Sequence, residues 1–108
     1  MRPISIGANL VASTTTTVYT VPAGYYAKWN LMYLHNTTGT QRQITAVWYD
    51  SSENEEYDIL RNYDMNSKDY LKFDGGAFVV LEENDEIRLT PEASSDFSVI
   101  NTFELIRK

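Results

Sequence analysis

The chain has 108 residues, with nine Lys and Arg against 15 Asp and Glu, one His and no Cys, and its formal charge is −6. This length predicts a single domain. Because an acidic chain has no general attraction to phosphate backbones or anionic lipid, we expect neither nucleic acid nor a membrane as its partner. The lack of Cys excludes a disulfide framework and a thiolate zinc site.

Two further properties bound the class of protein. The first residues lack the continuous apolar stretch of a signal peptide, and the longest strictly apolar run, residues 77–81, is far too short to cross a bilayer. We therefore expect a soluble protein that is not exported by that route. Eight Tyr, four Phe and two Trp, together with many Thr and Val, favour strands over helices.

The chain alternates apolar and polar residues in short blocks that are separated by turn residues. A Pro-Ala-Gly turn at residues 22–24 and an Asn-Thr-Thr-Gly loop at residues 36–39 are examples of these breaks. Predicted strands cover residues 15–21, 26–36, 43–49, 57–61, 69–73, 77–81, 86–90 and 97–106. The pattern predicts an all-β fold, a single antiparallel β-sandwich that is jelly-roll-like and has about eight strands.

Alternation also assigns faces to the strands. In residues 26–36 we expect the core face to carry Ala27, Trp29, Leu31 and Tyr33, and the opposite face to carry Lys28, Asn30 and Met32. In the next strand Ile44, Ala46 and Trp48 should point inward, and these two strands should form a hairpin. The last strand alternates through Phe97, Val99, Asn101, Phe103 and Leu105.

Residues 1–14 fit the strand scheme less well than residues 15–108, which form the predicted sandwich domain. Gly7, Ala8 and Asn9 interrupt the apolar residues of this segment, so it is either an arm that packs on another protein or an edge strand. If it is an arm, its apolar side chains contact the partner. Tyr is also common at protein interfaces. The candidate partner-binding residues are Ile4, Ile6, Leu10, Val11, Tyr25 and Tyr26.

The chain offers little for catalysis, and we expect no catalytic residue, metal or cofactor. His35 is the only histidine, and the sequence near it singles out no candidate nucleophile and no carboxylate that could orient the imidazole. Acidic runs at residues 50–58 and 82–86 could supply the two carboxylates of a glycoside hydrolase, but adjacent acids in turns are usually solvated. They could also bind Ca²⁺, but the residue order of an EF-hand loop is absent. The match to a glycosylation acceptor at Asn36 is interpreted as a turn.

Three sequence features in a fixed order resemble a group of small virion proteins of tailed bacteriophages. They are the strand and turn TVYTVPAG at residues 17–24, the NTTG loop at residues 36–39, and LEENDEI at residues 81–87 before the final strand. In that group a "tVPAG" turn, an Asn-Thr/Ser-Gly loop and an "L-x-x-G-D-x-I/L" turn recur. Asn84 stands where the group usually has Gly, and Asn tolerates positive φ.

This resemblance implies a non-enzymatic β-sandwich that is part of a virion. The leading hypothesis is a capsid decoration (cement) protein that binds and stabilises the assembled head, and the alternative is a neck, tail or fibre component. By analogy we expect a homo-oligomer, a trimer, that contacts capsid or other virion proteins after assembly in the bacterial cytoplasm.

A carbohydrate-binding module is the competing class. It requires at least two aromatic side chains on one solvent-facing surface, whereas we expect both Trp29 and Trp48 in the core.

Overall fold

The computed structural model describes residues 2–73 and 79–108, and every strand pairing in this part of the chain is antiparallel. The strands are β1 (Arg2–Leu10), β2 (Thr16–Thr20), β3 (Tyr25–Asn36), β4 (Arg42–Asp50), β5 (Glu55–Met65), β6 (Tyr70–Phe73), β7 (Val79–Leu81), β8 (Glu86–Pro91) and β9 (Phe97–Arg107). The start of the predicted strand at residues 77–81 lies outside the described residues.

The strands form two sheets. Sheet A has the order β1-β9-β3-β6, with β7 also paired to β3, and sheet B has the order β2-β8-β4-β5. The predicted all-β sandwich is therefore confirmed, with nine described strands rather than about eight because residues 2–10 form a strand of their own.

Aromatic side chains from both sheets meet in the core. Phe97 and Phe103 on β9 are fully buried, and the Phe103 ring stacks on Tyr19 of sheet B with 4.3 Å between ring centroids. Burial raises the pKa of the Tyr19 hydroxyl. The five residues through which the last strand alternates form its core face, since Val99, Asn101 and Leu105 are buried too.

A β-bulge in β3 changes which residues face the core. Between Trp29 and Leu31 the strand gains one residue relative to β9, and this extra residue is Asn30. Ala27 and Trp29 are buried as predicted, but beyond the bulge Met32 is buried at 1% exposure. The predictions that Leu31 and Tyr33 face the core and Met32 faces out were wrong, because one extra residue reverses the alternation.

The predicted hairpin between the third and fourth strands was also wrong, because β3 belongs to sheet A and β4 to sheet B. The chain crosses between the sheets after Asn36, which is fully buried. Its Nδ2 donates to the carbonyl oxygens of Thr40, Met65 and Asn66, and its Oδ1 accepts from the Thr38 amide. The Asn36 amide is thus committed to the crossover, which agrees with its interpretation as a turn residue rather than a glycan acceptor.

The N-terminal segment is an edge strand in this structure. β1 pairs with β9 along its whole length, from Arg2 opposite Leu105 to Leu10 opposite Phe97. Its alternate side chains pack against the core, and Leu10 is 5% exposed. These apolar residues complete the protein's own sandwich.

Candidate interaction surface

The outer face of sheet A carries an apolar and aromatic surface, which we call the sheet A face. It is centred on Leu31, Tyr33, Tyr70 and Ile100, brought together by β3, β6 and β9. Tyr70 is 57% exposed and Ile100 is 48% exposed. Because the core lies on the other side of the sheet, these side chains serve no packing between the two sheets, and such exposed patches mark interaction sites.

Strand register places these side chains side by side. Tyr33 lies opposite Ile100 on β9 and opposite Lys72 on β6, and the Tyr33 and Tyr70 rings are nearly parallel, with centroids 5.3 Å apart and an interplanar angle of 3°. Beyond Ile100 the neighbouring residue on β1 is Gly7, which presents no side chain. The β3 bulge is the cause of this arrangement, because it turns Leu31 and Tyr33 outward.

Charge is distributed unequally between the two sheets. The described strands of sheet A carry four cations and one carboxylate, whereas those of sheet B carry three cations and six carboxylates. The cations of sheet A are Arg2, Lys28, Lys72 and Arg107, and the carboxylate is Glu104. Lys28 and Lys72 lie on the outer face, at register positions beside Glu104 and Tyr33. Arg2 and Arg107 lie at register positions of the other face, opposite Leu105 and Tyr25, so the outer face carries two lysines and one carboxylate.

The edge strand β5 has the opposite character. Eight of its eleven residues are exposed, and it carries four carboxylates, Glu55, Glu56, Asp58 and Asp64, against one cation, Arg61. Its register with β4 contains two irregularities that together give β5 two extra residues, and Asn62 there has a φ of +48°. Bulges of this kind interrupt continuous edge-to-edge pairing, so side chains rather than backbone groups present this edge to a partner.

Two tyrosines and an ion pair complete the β5 edge. Tyr57 is 48% exposed and Tyr63 is 42% exposed. Arg61 donates to both oxygens of Asp58, at 3.1 Å from Nε and 2.6 Å from Nη2, and this interaction lowers the pKa of Asp58. The ionised Asp58 carboxylate is thus paired within its own strand.

The turn at residues 82–85 is held by a buried carboxylate. Asp85 is 1% exposed, and its oxygens accept hydrogen bonds from Trp48 Nε1, from the amide and hydroxyl of Ser51 and from the Glu82 amide at 2.9–3.2 Å. Asn84 has a φ of +69°, the backbone conformation that the turn requires. Since four protein donors already use its oxygens, Asp85 has a structural role.

The other acidic residues considered for catalysis or Ca²⁺ are engaged locally. Asp50 accepts from the amide and hydroxyl of Ser52, and Glu83 accepts from the Gly24 amide at 2.8 Å and from Lys108. The Gly24 and Lys108 contacts lower the pKa of Glu83. Within residues 2–73 and 79–108, no three His, Cys, Asp or Glu side chains are grouped so that they could hold a metal ion.

A polar groove of about 370 Å³ lies on the outer face of sheet B. Hydroxyl and amide groups line it, and they bond to one another: Thr15 Oγ1 is 2.7 Å from Thr90 Oγ1, and the Asn62 amide donates to Thr45 Oγ1 at 3.0 Å. None of its lining residues is aromatic. The groove therefore lacks the stacking platform that the carbohydrate-binding hypothesis requires.

Both tryptophans face the interior, as expected. Trp29 is 8% exposed and donates to Asn101 Oδ1 at 2.9 Å, while Trp48 is half-buried against the core. They lie in opposite sheets, because β3 belongs to sheet A and β4 to sheet B. His35 lies on the sheet A face opposite Tyr70 and is partly buried.

The six candidate partner-binding residues are dispersed in the structure. Ile4 and Ile6 pack against the core, Leu10 is part of it, and Val11 is 62% exposed. Tyr25 also packs against the core, with the Arg107 guanidinium 5.6 Å from its ring centroid.

The sixth candidate, Tyr26, is partly buried on the outer side of sheet A, opposite Ile106. The structure thus brings no more than Val11 and Tyr26 of this set to an outer surface. The other four cannot belong to a free arm while β1 and β3 remain in their sheet.

The exposed centre of the sheet A face was not among the predicted site residues. Ile100 could have been found from the sequence, because it occupies a position of β9 whose alternation predicts solvent exposure. Tyr33 could not have been found in this way, since the alternation of apolar and polar residues does not show the bulge that exposes it.

Comparison with known proteins gives no relative for this chain: no family model, no curated protein and no solved structure matches it. In the part of the chain that the structure describes, no helix is long and apolar enough to span a membrane.

Proposed function

We propose that this protein is a non-enzymatic structural protein of a tailed-bacteriophage virion, a capsid decoration protein that binds and stabilises the assembled head. The observation that carries the proposal is the sheet A face, where Tyr33, Tyr70 and Ile100 are presented together at the surface of an all-β domain. The resemblance at residues 17–24, 36–39 and 81–87 supplies the virion context.

The mechanism of such a protein is mass action. Copies that bind the assembled shell but not the separated capsid subunits shift the equilibrium toward the shell, and each contact adds to its resistance against internal pressure. A binding surface of this kind needs apolar and aromatic groups that are exposed before docking and buried after it. The sheet A face has these groups.

The proposal is tested by binding to heads of the phage that encodes the chain, purified from a strain lacking this gene. We expect the wild-type protein to co-sediment with expanded heads and not with capsid subunits. Substituting Ile100→Glu should reduce the bound fraction about tenfold or more, because a central apolar contact is replaced by a charge.

The matched control is Val11→Glu, which adds the same charge at an exposed apolar residue away from the sheet A face. Binding of both variants equal to wild type would remove the sheet A face from the mechanism. Absence of wild-type protein from the heads would contradict the decoration role, and its recovery with purified tails would favour the neck or tail alternative.

A further inference from the structure

We infer that the outer edge of β1 binds a second copy of this chain, by antiparallel pairing of β1 with β1 about a two-fold axis. This contact lies apart from the sheet A face and does not depend on the proposed function. It joins the two A sheets into one continuous sheet and predicts a dimer, whereas the analogy with virion proteins predicts a trimer.

β1 is an unprotected edge strand. It pairs with β9 through nine consecutive residues without a register shift, and within residues 2–73 and 79–108 no strand pairs with its other side. Alternate residues of such a strand direct their N–H and C=O groups away from the sheet, where a further strand can bond to them. The backbone of β1 therefore calls for an extended chain as its partner.

The other described edge strands are blunted. β2 has five residues and a register shift between Thr17 and Tyr19, whereas β6 and β7 have only four and three residues. β5 has two irregularities and four carboxylates. Short strands, bulges, charges and Pro are the features that prevent pairing between edges. In β1 they are confined to Arg2 and Pro3 at its beginning, and residues 4–10 have none of them.

The inward face of β1 is complementary to itself. When all nine residues pair antiparallel, the two Ile6 residues lie opposite each other and Ile4 lies opposite Ala8. These side chains pack against the core but stay partly exposed at the edge of the sandwich. A second β1 continues this apolar row and removes part of it from water, which stabilises the dimer.

The remaining residues of β1 present no obstacle to the pairing. Ser5 and Gly7 are exposed and small, and they lie opposite each other. The only charged residue, Arg2, lies opposite Leu10, so the two arginines are eight residues apart, about 26 Å, and do not repel each other at close range. Because one edge of each copy is used, the assembly closes at two copies.

The pairing also orients the two copies. Residues opposite each other on antiparallel strands point to the same side of the sheet, so both sheet A faces lie on one side of the dimer. The two β9 strands are separated by the two β1 strands, which is three strand spacings or about 14 Å. The dimer therefore presents the apolar centre around Ile100 twice in the same direction, which raises its avidity for a repetitive partner.

Cysteine cross-linking tests the register, because the natural chain has no Cys. Copies with Ser5→Cys are mixed with copies with Gly7→Cys and oxidised mildly. Opposite residues of an antiparallel pair have Cα atoms about 4.5–5.5 Å apart, a distance that fits a disulfide. A Cβ at residue 7 meets its nearest neighbour, the Val99 carbonyl oxygen, at 3.8 Å, so the side chain fits there. We expect a covalent dimer from this mixture.

The matched control mixes Gly7→Cys with Asn9→Cys. Asn9 lies on the same face of the same strand, but in the dimer it is four residues, about 13 Å, out of register with Gly7 of the other copy. This mixture should give no cross-link. Equal cross-linking in the two mixtures would overturn the inference.

Light scattering over a concentration series measures the association itself. The wild-type protein should reach twice 12.4 kDa. Ser5→Lys with Gly7→Lys should raise the dissociation constant about tenfold or more, because lysines then face each other across the two-fold axis. Ser52→Lys with Glu53→Gln, in the loop between β4 and β5, raises the net charge of −6 by the same two units and should leave the dimer intact.

Circular dichroism establishes that each variant is folded. A wild-type protein that stays at 12.4 kDa at every concentration would overturn the inference, as would an oligomer that the two lysines leave unchanged. A monomeric wild-type protein whose binding to heads is lost in Ser5→Lys with Gly7→Lys would assign the edge to a capsid strand instead. A dimer that does not bind heads contradicts the decoration role and leaves the pairing of β1 with β1 standing.

Discussion

At the scale of single residues, buried polar side chains fix the connections between strands. Asn36 holds the crossover from sheet A to sheet B, and Asp85 holds the turn before β8 against Trp48 and Ser51. Buried polar groups are tolerated when hydrogen bonds within the protein replace those that they made to water. A buried donor or acceptor that loses its partner costs the folded state its full desolvation free energy. Loop conformation in this protein therefore depends on a few polar residues.

Replacing Asp85 by Ala should be strongly destabilising. The substitution leaves the Trp48 indole, the Ser51 amide and the Glu82 amide without their acceptor, and we expect a loss of about 2–4 kcal/mol in the free energy of unfolding. Urea denaturation followed by tryptophan fluorescence measures it. Glu53→Ala, in an exposed acidic loop, is the control and should stay within about 0.5 kcal/mol of wild type.

Glu83 should make stability depend on pH in the acidic range. Its pKa is lowered in the folded state by the Gly24 amide and by Lys108, so its contribution is present above the pKa of the unfolded chain and is lost as pH falls through the folded value. We expect Glu83→Gln to lower the melting temperature at about pH 7 and to have little effect at about pH 3. An equal effect at both pH values would show that ionisation of Glu83 contributes nothing.

At the scale of strands, alternation predicts the existence of an element better than its partner. The last strand was assigned correctly because its period of two is unbroken from Phe97 to Leu105. The face of β3 was correct up to Trp29 and wrong after it, since the Asn30 bulge reverses the alternation.

The hairpin error has a different physical cause. A polar loop between two alternating strands fits either a hairpin or a crossover to the other sheet. Which one forms depends on long-range pairing, here β3 with β9 and β4 with β8, which no local pattern contains. The charge difference between the sheets was hidden for the same reason, because it appears only when strands are grouped by sheet.

The N-terminal strand supplies a test at this scale. Ile6→Ser removes an apolar side chain that packs on the core, and we expect a loss of about 1–2 kcal/mol in the free energy of unfolding. Val11→Ser, at a residue that is 62% exposed, should change it by less than about 0.5 kcal/mol. If Ile6→Ser were neutral for stability but weakened head binding, β1 would be a docking arm rather than part of the sandwich.

At the scale of the whole molecule, the protein has two unlike surfaces. The sheet A face combines exposed tyrosine and isoleucine with lysine, and the β5 edge combines exposed tyrosine with carboxylates. Head binding through the apolar centre of the sheet A face should persist as ionic strength rises, because salt screens exposed charges and does not weaken apolar contacts.

The most direct measurement is co-sedimentation of the purified wild-type protein and of Ile100→Glu with expanded heads that lack the protein, beside separated capsid subunits. The account predicts that the wild-type protein sediments with the heads and not with the subunits, and that Ile100→Glu lowers the bound fraction about tenfold or more. Wild-type protein that stays in the supernatant of the heads would contradict the decoration role, and equal binding of Ile100→Glu would contradict docking through the sheet A face.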